Sequence, residues 1–344
     1  MEQEHKRRVR YKGTHPRSYK EKYKELNPEK YQQDVEKIIK SGKTPVGMHI
    51  SIMVDEILEF LNIQPGQVGM DATLGYGGHT QKMLEKLQGQ GHLYATDVDP
   101  IESEKTRARL EALGYGSEIL TIKRMNFANI DQVAEEKFDF VLADLGVSSM
   151  QIDNPDRGFT FKQDGPLDLR LDPSSGVSAA KRLRELDEDG LAAMLEENSD
   201  EPHADRIAKA ITRVYQQGGS VETTKQLAAI IEGALSFLPP KERKEQVKKS
   251  CQRCFQALRI DVNSEFEVLY DFLEKLPGVL KSGGRVAVLT FHSGEDRLVK
   301  KAFKQYYKEG IYSEIAEDVI RPSAEECFRN PRAKSTKMRW AVKA

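Results

Sequence analysis

The chain has 344 residues, of which 38% are hydrophobic and 31% charged, with a formal net charge of −1. No apolar run approaches the ~20 residues that span a bilayer, "MEQEHKRRVRYKG" lacks the apolar core of a secretion signal, and three cysteines are too few for a disulfide framework. The expectation left standing is a cytoplasmic protein without a membrane partner, long enough for two modest domains or one α/β domain with an insertion.

The small net charge conceals an asymmetry. Residues 1–44 hold 13 Lys/Arg against 7 Asp/Glu and residues 321–344 hold 7 against 2, so the body between them is acidic. Basic ends on an acidic body fit either a polyanionic partner or plain solvated tails. The extension over 1–44 is expected to be partly disordered when free, with "VEKIIKSG" as one short amphipathic helix.

From His49 the pattern changes. "SIMVDEILEFLNI" has apolar residues at helical spacing and stops at Pro65-Gly66. Then strands and helices alternate. "VGMDATLG" predicts a strand, "HTQKMLEKLQ" a helix, "GHLYATDVD" a second strand, and "PIESEKTRARLEALG" a helix with Pro100 in its first turn and Gly114 at its end. "ILTIKRMNF" and "FDFVLADLG" follow as strands three and four. This alternation predicts an α/β fold, a parallel sheet with helices on both faces. It breaks after Asp144 and returns near residue 255 with a helix, a Gly-Gly turn and the strand in "GGRVAVLTFHS". Between lie a polar, turn-rich segment and helical stretches, so residues 155–250 read as a target-binding loop and helical insert. Residues 45–154 and 251–344 then form the α/β part.

The loop "DATLGYGGHT" joins strand one to a helix. Gly75, Gly77 and Gly78 allow a tight turn and bring backbone N–H groups close to a ligand at the helix start. The pattern is not G-x-G-x-x-G, because Thr80 and His79 stand where a dinucleotide loop has small residues. Asp97, at the end of strand two, lies where an acid accepts hydrogen bonds from both ribose hydroxyls. Asp99 beside it is a candidate helix cap. Asn126-Phe127 ends strand three and suits an adenine contact, and Asp144 ends strand four. Strand tips of an open α/β sheet face one crevice. Together these residues read as a pocket for S-adenosylmethionine.

The same stretches, with "DLGVSSMQID", "RGFTF", "DGPLDLR", "FQALRIDVN" and "FHSGEDR", resemble the serial motifs of the bacterial 16S ribosomal RNA cytosine-N4 methyltransferases, the RsmH/MraW family. The resemblance runs from about His49 to "PRAKSTKMR". It implies a Rossmann-like class I methyltransferase domain with a helical domain inserted after the fourth strand. It also implies S-adenosylmethionine as cofactor and a decoding-centre cytosine of the small ribosomal subunit as target. Cofactor contacts carry over onto Gly77, Gly78, His79, Asp97, Phe127, Asp144 and Gln151. The departures are the missing Pro after His49, "SCQRC" before "FQALRI", Gly294 where Leu is usual, and the basic extension, a combination that fits a divergent second copy.

Cytosine N4 is a weak nucleophile because its lone pair is delocalised into the ring. Catalysis needs an acceptor that holds the amine, and Asp144 with the backbone carbonyl of Leu145 is the candidate. A target base must also leave the helical stack, which gives the segment after Asp144 a purpose as a lid. Phe159 and Phe161 are read as stacking on the base or packing in a core. Arg157 and Arg170 are read as phosphate contacts, or as partners of Asp164 and Asp168. His292 borders the same crevice, either holding RNA or as a structural residue. Cys251 and Cys254 make one C-x-x-C without further zinc ligands and read as ordinary thiols, so no metal is expected. The rival functions are methylation of another rRNA or DNA amine and a weakly catalytic assembly role. The oligomeric state stays open, a homodimer included.

Overall fold

Strand β4, Phe138–Asp144, is the centre of the molecule and shows why the sheet forms. Phe140 and Leu142 point into one apolar core and Val141 and Ala143 into another, all fully buried. A strand buried on both faces reads as a continuous apolar run, as central parallel strands do. The computed structural model describes residues 51–344. The predicted basic extension over 1–44, its short helix and His49 lie outside the described residues.

In chain order the elements around it are α1 (Val54–Leu61), β1 (Val68–Asp71), α2 (Gly78–Leu87), β2 (His92–Asp97), α3 (Pro100–Ala112) and β3 (Leu120–Arg124). After β4 come α4 (Ser149–Asp153), then α5 (Ala179–Glu185), α6 (Glu188–Ser199), α7 (Ala204–Gln216), α8 (Thr224–Ala234) and the long α9 (Pro240–Asn263). The chain closes with α10 (Glu265–Val279), β5 (Leu280–Thr290), α11 (Ser293–Lys308), β6 (Tyr312–Ile315), α12 (Ala324–Arg329) and β7 (Lys337–Lys343).

The strands form one sheet of seven in the order β3-β2-β1-β4-β5-β7-β6. Pairs from β3 to β5 are parallel, whereas β7 runs antiparallel to both neighbours. The order reverses between β1 and β4, so the crevice beyond the carboxyl ends of these strands is the expected ligand site. One face is covered by Ile57 and Leu61 of α1, Met83, Leu84 and Leu87 of α2, and Leu110 of α3. The other is covered by Leu269, Phe272 and Leu276 of α10 with Val299 and Phe303 of α11. Gly69 of β1 is a packing requirement, since an added Cβ would fall 2.0 Å from the Phe140 ring.

Residues from Leu167 to Leu258 build a separate helical core, with Leu191, Leu195, Ile207, Ile211, Leu227 and Ile231 at its heart. The predicted boundary at residue 250 falls inside α9. That helix places Cys251, Cys254 and Leu258 in the helical core, and near its end Asp261 pairs with Arg182 of α5 while the Asn263 side chain bonds the Leu169 carbonyl and the Leu171 N–H. A 24-residue helix spans about 36 Å at 1.5 Å per residue. Cys251 and Cys254 are buried, and burial raises both thiols above their ordinary range.

Candidate active site

The crevice is assembled from strand tips. After β1 the chain turns through Gly75 at φ +49° and Gly77 at φ +77°, left-handed conformations that glycine adopts without Cβ strain. Gly78 then begins α2, where an added Cβ would meet Ser51 Oγ at 2.0 Å. The Gly75 N–H donates to Asp97 Oδ2 at 2.8 Å, and Thr106 Oγ1 donates to the Gly75 carbonyl at 2.6 Å. The glycine loop is therefore fastened to the tip of β2 and to α3. The N–H groups of the first turn of α2, which have no acceptor within the helix, suit the electron-rich end of a ligand.

Asp97 and Asp99 divide their work. Asp97 accepts the Gly75 N–H on one oxygen and the Asp99 N–H on the other, each at 2.8 Å. A carboxylate has about four acceptor sites, so half of them remain for ribose hydroxyls. Burial pushes Asp97 up to about 6, with the Asp99 and Asp71 charges adding to the rise and the two N–H donors opposing it. Asp99 caps α3 through Oδ1 and is fully buried. Its Oδ2 accepts from Arg157 Nη1 at 2.7 Å and from Gln151 Nε2 at 2.9 Å. Asp97→Ala is expected to weaken S-adenosylmethionine binding ~10-fold or more, the value of a hydrogen bond to a charged group; unchanged affinity by calorimetry would remove the ribose assignment.

Several residues singled out in the sequence are placed differently from their expected roles. Gln151 closes a capping box with Ser148 and binds Asp99, so at most one amide N–H is left for a direct cofactor contact. Arg157 is buried, and its guanidinium holds Asp99 and the carbonyls of Arg170 and Leu171. It anchors the loop after β4, an internal role of the kind weighed beside phosphate contact, with Asp99 as its partner. Phe159 and Phe161 are partly buried and pack against the helical core, the second of the two readings, Phe161 with its ring 5.4 Å from that of Phe255. Arg170 makes a two-pronged pair with Asp168 at 2.7 and 2.8 Å and reaches the carbonyls of Ser175 and Gly176, again an internal role. Asp164 holds backbone N–H groups of Gly165 and Lys225. Phe127 stays at the end of the β3 segment, half-buried with its edge on Phe272 at 5.2 Å.

At the tip of β4, the Asp144 N–H donates to Thr73 Oγ1 at 2.7 Å, tying the acid to the loop after β1. Leu145 is buried and its N–H donates to the Leu289 carbonyl, after which Gly146 at φ +93° turns the chain out of the sheet. Asp144 Oδ1 is buried with no hydrogen-bond partner among the described residues. Such an oxygen is costly unless a ligand or proton completes it. Burial pushes Asp144 up to about 6, the His79 ring draws it down, and Asp71 and Glu295 push it up. His79 Nδ1 lies 3.5 Å from Asp144 Oδ2.

Asp71, Thr73 and Thr80 escaped the sequence reading, although "MDAT" already ended a predicted strand in an acid. Asp71 is buried and accepts Thr80 Oγ1 at 2.6 Å and the Thr73 N–H at 3.0 Å. His292 sits at the start of α11 with Nε2 3.1 Å from Glu295 Oε1. Glu265, His292 and Glu295 bring one ligand atom each within 4.8 Å. Arg259 binds Glu265 through two bonds of 2.7 and 2.9 Å, so ion pairing accounts for this cluster. The unusual Gly294 is explained by Phe266, since a Cβ there would lie 2.6 Å from its ring. Gly294→Leu is expected to lower stability by about 1–3 kcal/mol through overpacking. Phe266→Leu in the same chain should recover most of it in denaturant titration, and failure to do so would show that the two positions are not coupled.

A glycine loop, an acid on β2 and an acid on β4, all at one sheet edge with this strand order, define an S-adenosylmethionine-dependent methyltransferase. The chain belongs to the MraW methylase family, whose model matches residues 47–344. A protein of Lachnoclostridium phytofermentans named ribosomal RNA small subunit methyltransferase H 1 is 67% identical over 99% of this chain and 93% of its own length. The one named methyltransferase H 2 in Alkaliphilus metalliredigens is 64% identical over 100% of this chain and 99% of its own. A more distant relative, ribosomal RNA small subunit methyltransferase H of Thioalkalivibrio sulfidiphilus, is 39% identical over 88% of this chain and 98% of its own. The basic extension thus precedes the family model, yet is spanned by the match to the second of these proteins.

Proposed function

We propose that the protein transfers the methyl group of S-adenosylmethionine to the exocyclic N4 of a cytosine in small-subunit ribosomal RNA, in the decoding centre. The observation that carries this reading is Asp144 Oδ1, a buried acceptor without a partner among the described residues, at the strand tip beside the cofactor loop. An amine N–H is the group that oxygen fits. Asp97 would take the ribose hydroxyls, and the start of α2 would face the cofactor's carboxylate end. When bound, S-adenosylmethionine supplies the electrophilic methyl group. The protein's part is largely alignment, which contributes about 7–11 kcal/mol to such two-reactant steps. A hydrogen bond to the carboxylate adds about 1.5–3 kcal/mol. The loop after β4, fixed to Asp99 by Arg157 and Gln151, forms the wall against which the base is held.

The test is methyl transfer from labelled S-adenosylmethionine to small ribosomal subunits of a strain lacking this gene, followed by mass spectrometry of the rRNA fragments. Label on N4 of a decoding-centre cytosine is expected. Label at another site or on a ring carbon would overturn the target assignment.

A further inference from the structure

Phe328 is the most exposed large apolar side chain among the described residues, at 86%, and it packs in none of the three cores. Exposure alone would say little, since single apolar residues are common on surfaces. The way the ring is mounted says more. Phe328 lies on α12, in the stretch that leaves the sheet after β6 and returns as β7. That stretch is fastened on both sides. Ser323 caps α12 by accepting the Glu326 N–H at 3.1 Å, and Glu326 Oε1 accepts the Met53 N–H at 2.8 Å. The chain just before Met53 lies against the start of α2, where the Ile52 carbonyl meets His79 Nε2 at 2.9 Å. Past α12, Arg332 Nη2 donates to both oxygens of Asp153 at 2.8 and 3.0 Å, and Asp153 ends α4, the helix that follows Asp144. One set of bonds reaches the α2 side of the crevice and the other its β4 side. The Phe328 ring is therefore held out to solvent at the edge of the crevice by a braced helix.

The charge around the ring bears on its partner. Residues 321–344 carry 7 Lys/Arg against 2 Asp/Glu. Both acids are engaged, Glu325 by Arg329 and Glu326 by the Met53 N–H. Arg321 and Lys334 are exposed and form no ion pair among the described residues. An exposed aromatic ring with unpaired cations on the same stretch is the equipment of single-stranded nucleic-acid sites, where a base stacks on the ring and the cations meet phosphates. A second copy of this chain docked on the same face would set these like charges against one another.

We propose that Phe328 is a stacking platform for an unpaired ribosomal RNA base next to the methylated one, with Arg321 and Lys334 on the flanking phosphates. This deepens the rRNA-methylation reading and rests on it. A target nucleotide drawn out of its stack leaves a neighbouring base with one face bare. The Phe328 ring covers that face, so the protein favours the opened form of the RNA.

The test is binding of purified small ribosomal subunits by the full chain, with methyl transfer measured on the same samples. Phe328→Ala should weaken subunit binding and raise KM by ~10-fold, the scale of one lost base stack, with kcat little changed. Phe328→Tyr should stay near wild type, whereas Phe328→Leu, apolar but without a stacking face, should behave as alanine does. The exposed ring is not needed for folding, so these variants report on binding. Replacing both cations, Arg321→Gln with Lys334→Gln, should flatten the log–log salt dependence of binding by about 1.4, the value for two single-strand phosphates. Unchanged affinity in Phe328→Ala, or leucine binding as well as tyrosine, would overturn the stacking role. Loss of a dimer in Phe328→Ala by sedimentation would assign the ring to contact between copies and overturn it too. If the wild-type chain labels no subunit yet binds subunits only with an aromatic residue at position 328, the target reading falls and the stacking surface stands. Label without that dependence keeps the target and removes the surface. Subunits that neither bind nor accept a methyl group would overturn both.

Discussion

Asp144→Ala is expected to cut methyl transfer ~100-fold or more, the cost of removing a preorganised partner of the reacting group. Three features converge on this side chain. Its backbone is fixed by the Thr73 hydroxyl, its Oδ2 faces His79, and its Oδ1 is buried without a partner among the described residues. In the proposed reaction, alanine removes both the acceptor that would orient N4 and the group that would take up its proton. Asp144→Asn separates the two functions, since its amide oxygen still accepts a hydrogen bond but takes up no proton at neutral pH. The asparagine variant should therefore fall between wild type and alanine. Single-turnover rates at saturating cofactor on small subunits provide the measurement. Near-normal turnover in the alanine variant would remove Asp144 from the reaction.

The second large effect is on stability. Arg157→Ala is expected to cost about 3–5 kcal/mol in denaturant unfolding, because breaking a buried pair leaves its partner charge uncompensated. Arg157 and Asp99 are 8% and 0% exposed, and the bond between them measures 2.7 Å. The loss should reach the cofactor site as well. Asp99 donates its N–H to Asp97, and Arg157 holds the carbonyls of Arg170 and Leu171, so one side chain joins β2 to the loop after β4. Adding Asp99→Asn to the alanine variant removes the orphaned charge and should recover part of the stability. A loss under about 1 kcal/mol, typical of an exposed ion pair, would contradict the buried network.

The framework of the candidate site was readable along the chain. Gly75 and Gly77 adopt the left-handed conformations that their spacing predicted, and Asp97, Phe127 and Asp144 all end at one side of the sheet. Turn chemistry and apolar alternation are local properties, so a few neighbouring residues express them. The loop after Asp144 was harder to read. Its arginines and phenylalanines stand in a polar, turn-rich segment, where contacts to RNA and internal packing are both open readings. In the fold, Arg157 finds Asp99 58 positions away, and Phe161 meets Phe255. Gly294 resembled a flaw in a motif until Phe266 was seen to fill the space beside it.

By itself the sequence determined the α/β alternation, the glycine loop, the acids at the strand ends and the family to which the chain belongs. Periodicity and turn residues act over a few positions, and those features need no distant partner. Only the tertiary structure decided which charges are buried against one another: Asp99 with Arg157, Arg259 with Glu265, and His79 between Asp71 and Asp144. The strength of a charge pair depends on distance and on exclusion of water. Both are set by the crossing of β1, β4 and the elements around them, and neither is written in the spacing of any single segment.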